Sequence, residues 1–305
     1  MPSIAFTPIR LPESCASLRQ EARQFLAEEV SRGTYDPTRA YPSDSESRQF
    51  ALRVGERGWI GITWPKVYGG QERSYLGRFV LAEEFFAAHA PVMHYFVADR
   101  QVGPMLLQYA SQQLKESLLP QIARGKLCFS IAMSEPGSGS DLFAAKARAT
   151  RADGGWLLNG IKTWVTNGHV SDYMVPLFKT SPPTRENPRH RPSSFLIDMK
   201  SKGIECRRIN QMTGQRFNEV AFEEVFVPDE HVLGKLDDAA TQVTGELSYE
   251  RSGPERFLES YFVLPDLIDA LGPDPDTRAA EGIGMLVAQL HAMRRMSVSI
   301  AGMLE

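Results

Sequence analysis

An α+β chain of three successive parts, helical, then β, then helical again, is predicted by three changes of pattern along the sequence. Apolar residues recur at helical spacing up to about residue 125, alternate and break at turns from 126 to 234, and return to helical spacing beyond that. The expected organisation is an N-terminal helical domain over 1–125, a central β-barrel-like domain over 126–234, and a partial C-terminal helical bundle over 235–305. A chain of 305 residues can bury a large core divided among two or three such units.

The first helix is expected from Pro12 to Arg32, where Leu18, Ala22, Phe25, Leu26 and Val30 recur with charged residues between them. Gly58 to Gly70 is apolar but broken by glycine and proline, so it reads as a structured loop between helices. Tyr75 to Arg100, with Leu76, Phe79, Val80, Phe85 and Phe86, reads as a largely buried helix interrupted near Pro91. Ser111 is placed to cap the next helix, which turns Leu114, Leu118, Leu119 and Ile122 inward and ends at Gly125. Strands are expected at 127–133, 143–150, 156–165, 172–179, 194–199, 203–212 and 217–227. Ser181 to Ser193, rich in proline and charge, reads as an exposed excursion. After Gly234, Val243, Leu247, Phe257, Phe262, Leu264 and Leu267 are the apolar positions of a helical run that Gly253-Pro254 should break. A last helix from about Thr277 carries Ile283, Leu286, Leu290, Met293 and Met296, read as a core stripe, with Arg294-Arg295 as a solvated face. Its periodicity persists to Glu305 without a capping residue, the pattern of a chain cut short.

Composition excludes several roles. The net charge of -3 gives no global pull towards nucleic acid or an anionic membrane. Three cysteines, Cys15, Cys128 and Cys206, are far apart and odd in number, which reads as reduced thiols in a cytoplasmic protein. No histidine has metal-ligand spacing, no opening segment resembles a targeting leader, and no stretch is long and apolar enough to span a bilayer.

The chain is organised around Cys128 to Asn167. Phe129 to Met133 reads as a buried strand stopping at Pro136-Gly137. The loop that follows, with Ser134, Gly137, Ser138, Gly139 and Ser140, is rich in small hydrogen-bonding groups and in glycines able to take positive φ, which suits a polar ligand close to the backbone. Trp156-Leu157-Leu158, Asn159-Gly160 and Ile161 to Val165 read as a hairpin turning at Asn159-Gly160 and bringing Trp164 and Thr166 together.

Met133-Ser134-Glu135-Pro136-Gly137-Ser138-Gly139-Ser140-Asp141, followed by Trp164-Val165-Thr166-Asn167-Gly168, resembles the flavin-binding signature of the acyl-CoA dehydrogenases. The resemblance covers about residues 15 to 260 and is strongest from Cys128 to Gly234. It implies FAD as cofactor and the α,β-dehydrogenation of an acyl-CoA thioester to a trans-2-enoyl-CoA. In that chemistry a base takes the α proton and flavin N5 takes the β hydride. It also implies an electron-transfer flavoprotein or similar acceptor, and assembly as a homo-oligomer or with a partner that completes the C-terminal part.

Carried over residue by residue, the resemblance makes Glu250, in Leu247-Ser248-Tyr249-Glu250-Arg251, the candidate base. Taken alone the Glu-Arg pair would be a solvated pair on a helix, with Pro254 one turn on. Arg251, Ser248 and Ser140 stand where the family contacts CoA, with a salt bridge or a turn as the ordinary structural roles of such residues. Ser248 departs from the usual aspartate. Ser134 and Thr166 resemble the hydroxyls that bind the flavin ring, and Trp164 the tryptophan packed on it, although an isolated strand tryptophan is ordinarily core. Ile131, Met133 and Val165 would add backbone and apolar contact. The family's Arg-Gln-Phe-Gly-like segment is replaced by Leu271-Gly272-Pro273-Asp274-Pro275, and the distal segment that gives a thioester-oxygen donor is absent. Two other readings follow from those departures: a non-catalytic or incomplete subunit, and a flavin monooxygenase or oxidase on the same fold.

Overall fold

Helix α1 (Glu13–Ser31) buries Cys15, Leu18, Ala22, Phe25 and Leu26 along one stripe, as its spacing dictates. The computed structural model describes residues 6–39, 41–141, 144–182, 185, 192–212, 216–239, 241–243 and 253–305. Helix α2 (Asp44–Glu56) opens with a reciprocal capping box. The Ser43 hydroxyl accepts from the Glu46 amide, and the Glu46 carboxylate accepts from the Ser43 amide at 2.7 Å. Helix α3 (Tyr75–Ala87) starts at Ser74, whose hydroxyl accepts from the Gly77 amide.

The helical run expected to reach Arg100 breaks at residues 88–92 around Pro91 and resumes as α4 (Met93–Val97), a π turn over Ala98–Val102, and α5 (Gly103–Tyr109). Helix α6 (Gln112–Ala123) is capped by Ser111 as expected, and Gly125 leaves it with φ +68°. Phe25, Phe50, Trp59 and Phe85 interlock at the centre, with Phe25 edge-on to Trp59 at a centroid distance of 5.2 Å.

The strands are β1 (Phe129–Ala132), β2 (Arg148–Ala152), β3 (Gly155–Thr166), β4 (Tyr173–Lys179), β5 (Pro192–Phe195), β6 (Ile197–Asp198), β7 (Ile204–Asn210), β8 (Arg216–Pro228) and β9 (Val232–Leu233). They run in the order β7-β8-β3-β2-β4-β5-β9, with β1 and β6 both on β4. β4 is the corner strand. Its first residues pair with β1 in parallel and with β6, and its last residues pair with β5 and β2.

Two expectations are corrected here. Asn159-Gly160 is not a turn, because β3 runs unbroken through it. The hairpin turns instead at Asp153-Gly154, between Ala152 and Gly155 of β2 and β3, with Gly154 at φ +69°. Opposite Asn159, β8 carries a β-bulge, with two residues, Glu223 and Glu224, facing one. The Asn159 side-chain oxygen accepts from the Glu224 amide, and a Cβ on Gly160 would stand 2.5 Å from that of Ala147. The strand expected at 143–150 begins at Arg148, since the amides of Lys146 and Ala147 go to a side chain, Glu135, rather than to a ladder.

Beyond Pro254 come α7 (Glu255–Leu258), α8 (Val263–Leu271) and α9 (Thr277–Met303), the last capped by Asp276. The Met293 and Met296 stripe is not core: these side chains are 40% and 43% exposed, and α9 is buried only at Ser297, Val298, Ser299 and Ala301, where it meets α1 and α3. Arg294 is not a solvated residue either, because it grips the Glu83 carboxylate with two nitrogens. Helix α8 buries none of its residues. Val263, Leu267, Ile268, Leu271, Met285, Leu286 and Val287 thus stay exposed on the two helices.

His94 on α4 is buried, and its Nε2 has no hydrogen-bond partner among the described residues. Burial, aided by the charge of Arg48, pushes its pKa from 6.5 down to about 4. The unfolded chain therefore takes up a proton that the fold refuses. Stability present above pH 6.5 drains away as pH falls towards 4, by roughly 3 kcal/mol in all. Denaturant titrations at a series of pH values should show His94→Gln losing markedly less stability than the wild type across this window, and identical slopes would sink the assignment.

Candidate functional site

The site is built where the exit of β1 lies against the far end of β3. The Thr163 amide donates to the Ser134 carbonyl at 2.9 Å, which ties the two segments together. Beyond Ser134 the chain makes a tight loop in which the Glu135 amide donates to the Ser138 carbonyl at 2.8 Å and the Ser138 amide returns to Glu135 at 3.1 Å. Neither Gly137 nor Gly139 uses positive φ, and a Cβ on either would meet nothing within 4 Å. Their backbones therefore face open space and remain approachable. Ser140 is exposed at the loop tip.

The loop is held at its root by a buried ion pair. Lys162 on β3 has no exposed surface, and its Nζ donates to the Glu135 carboxylate at 2.8 Å and to the Met133 carbonyl at 3.4 Å. The ammonium also lies 5.2 Å from the centroid of the Phe178 ring. The same carboxylate accepts from the amides of Lys146 at 2.5 Å and Ala147 at 3.1 Å, so one side chain closes both ends of the loop onto β3. Burial would raise the Glu135 carboxyl, but the Lys146 amide, the Lys162 ammonium and the Ala147 amide outweigh it and hold it below its usual range. Burial lowers the Lys162 ammonium against the pull of Glu135.

Towards its end β3 bulges. Lys162 pairs with Val220 and Val165 with Asn218, so β3 has one residue more than β8 between these pairs. Trp164 sits in that bulge at φ +59°, a region that costs a bulky side chain on the order of 1–3 kcal/mol. The bulge exchanges inside for outside. Val165 is buried in the sheet core, while Trp164 is 56% exposed and meets Phe217 edge-on at 6.0 Å. Thr166 follows, half-buried.

The structure therefore brings Met133, Ser134, Trp164 and Thr166 to one region, with Ser140 at the tip of the adjoining loop. Ile131 packs partly buried against the helical core, and Val165 can offer only backbone. Glu250, Ser248 and Arg251 lie outside the described residues. Sequence reading missed Lys162, whose signal was its place in line with Trp156 and Leu158 on the inward face of β3. An exposed flat aromatic, two hydroxyls and an open glycine backbone fit a planar heteroaromatic cofactor with a polar edge, such as a flavin. Among the described residues no group of histidine, cysteine and carboxylate side chains could hold a metal ion, and no helix is long and apolar enough to cross a membrane.

Comparison with known proteins agrees in kind. Residues 12–126 match the family described as acyl-CoA dehydrogenase, N-terminal domain, and residues 130–225 match acyl-CoA dehydrogenase, middle domain. The chain is 30% identical to the acyl-CoA dehydrogenase FadE26 of Mycobacterium tuberculosis, over 81% of this chain and 62% of that protein. It is 31% identical to the mitochondrial long-chain specific acyl-CoA dehydrogenase of Mus musculus, over 76% of this chain and 54% of that one. The chain thus spans less than two thirds of either relative. Among solved structures, the Tcur3481-Tcur3483 steroid ACAD superposes with a TM-score of 0.83 at 26% identity, over 96% of this chain and 78% of that one.

Removing one partner of a buried ion pair leaves the other charge uncompensated, which costs about 3–5 kcal/mol. Lys162→Met should therefore be destabilised by about that much in denaturant unfolding, and Lys162→Met with Glu135→Gln should recover part of the loss. A single variant as stable as the wild type would show that the pair does not anchor the loop.

Proposed function

Because the chain belongs to the acyl-CoA dehydrogenase family, we propose that it forms the cofactor- and thioester-binding part of an FAD-dependent enzyme that oxidises an acyl-CoA to the trans-2-enoyl-CoA. The observation that carries this reading is the strained bulge that turns Trp164 outward next to Thr166 and the Ser134 loop. In this reading Ser134 and Thr166 hydrogen-bond the flavin ring, Trp164 packs on it, and Ile131, Met133 and Val165 line it with backbone and apolar surface. When bound, FAD supplies the two-electron acceptor for the hydride leaving the β carbon, and an electron-transfer flavoprotein or similar carrier reoxidises it.

The residues of the chain do the rest. Glu250 takes the proton from the α carbon, and enclosure of the site from water strengthens every donor directed at the thioester oxygen. Ser140, Ser248 and Arg251 hold the CoA portion, Arg251 through its fixed charge. The division into domains at 1–125, 126–234 and 235–305 belongs to the same reading, with FAD between the β domain and the C-terminal helices.

A second reading, an incomplete subunit that works only in an assembly, is favoured by the exposed apolar residues of α8 and α9. The steroid ACAD bears two names, Tcur3481 and Tcur3483, and another similar structure is a ChsE4-ChsE5 complex from Mycobacterium tuberculosis. We place the missing contact on this face, with another copy or a completing partner.

Anaerobic titration of the FAD-loaded chain with straight-chain, branched and steroid-derived acyl-CoAs tests the proposal. The visible absorbance of the oxidised flavin should bleach with at least one thioester. Glu250→Gln should bind the same ligand yet bleach on the order of a thousandfold more slowly or not at all, since it keeps the shape and loses the base. Bound flavin that no thioester reduces would favour the incomplete subunit.

A further inference from the structure

The bulge that exposes Trp164 is braced from behind by residues outside both motifs of the signature. Asn218 on β8 has no exposed surface. Its Nδ2 donates to the Val165 carbonyl at 2.9 Å, at the residue where β3 returns to register. A side-chain amide thus holds a main-chain carbonyl of the displaced strand. Asn218 Oδ1 is then an acceptor, and it receives the Nδ1–H of His169 at 3.1 Å and the Cys206 thiol at 3.5 Å.

His169 extends the chain of contacts into the helical part. Its Nε2 lies 3.4 Å from Asp44 Oδ2, at the start of α2, and Arg208 on β7 reaches the same oxygen at 3.5 Å. Gly168 covers the assembly. A Cβ there would stand 3.2 Å from Asn218 Cβ and 3.4 Å from Cys206 Sγ, so the amide of Asn218 has little room to turn.

We propose that Asn218, oriented by His169, is a positioning residue of the cofactor site: it fixes the Val165 carbonyl, and through it the bulge that presents Trp164 and Thr166. The proposal rests on the flavin reading above. A left-handed tryptophan persists only where its surroundings over-determine it. Three contacts do so here: the Thr163 amide to Ser134, the Lys162 pair beneath, and Asn218 on the far side. Of these, only Asn218 grips the strand after the bulge and so sets the direction in which Trp164 leaves it.

Asn218→Asp separates this role from a structural one. At pH 8 the carboxylate still accepts from His169 and Cys206 but has no hydrogen to give the Val165 carbonyl. FAD affinity is read by the quenching of free-flavin fluorescence, at a temperature where circular dichroism shows each variant folded. Asn218→Asp and Asn218→Leu should bind FAD at least tenfold more weakly than wild type, with a shifted visible band. In the apo chain, the emission difference between each variant and its Trp164→Phe counterpart should change. His169→Gln should show a smaller loss, about threefold, and it decides the matter if neither Asn218 variant folds. Variants that melt earlier yet bind FAD with wild-type affinity and spectrum would overturn the proposal and leave Asn218 a packing residue. A wild-type chain that binds no FAD would overturn the flavin reading itself and this proposal with it.

Discussion

A lysine without exposed surface is tolerated only beside an acid, and the Lys162–Glu135 pair is the constraint on which the site depends. The carboxylate ties three chain segments at one point, namely the exit of β1, the return of the loop before β2, and the middle of β3. Each of these would otherwise have a buried polar group to satisfy. With the root held by one ion pair and Ser138 folded back onto Glu135 and Asp141, Pro136, Gly137, Gly139 and Ser140 stay on the surface. A loop held at its root and pinned through Ser138 can keep its glycine backbone open and Ser140 at its tip.

The same strand shows how strain and exposure coincide. Along β3, Trp156, Leu158 and Lys162 point inward by simple alternation, which would carry Trp164 inward as well. One extra residue reverses the parity and puts Val165 in the core instead. The cost of the left-handed tryptophan is offset by the burial of a valine together with the hydrogen bonds on either side. An indole held outward by its own backbone is already aligned before any ligand arrives, which limits the ordering cost of binding.

Much of this was legible in the sequence because local chemistry agreed with the fold. Ser111 announced α6, the switch of periodicity announced the strands, and the serine and glycine run announced a tight surface loop. The failures were of another kind. Asn159-Gly160 and Asp153-Gly154 are equally good turn pairs, and only the pairing of β3 with β2 and β8 decides between them. Lys162 and Glu135 are 27 positions apart, so their pairing is a property of the sheet. The stripe of α9 predicted an amphipathic helix correctly, but periodicity does not say what covers the apolar face, and here its methionines remain exposed.

Phe129, Val175 and Leu233 of the strands and Leu196 between β5 and β6 sit in the same cluster as Phe25, Trp59 and Leu119 of the N-terminal helical part. The boundary visible in the sequence near residue 126 is therefore not a plane of weakness. Prising the two parts apart would expose four large side chains, and with them the inner face of the strand that leads into the Ser134 loop. Helices and sheet form a single cooperative unit on this account, so a local opening that loosened the helical part would also unseat the Ser134 loop. Turnover of the protein in a cell and occupancy of its site would then be coupled quantities.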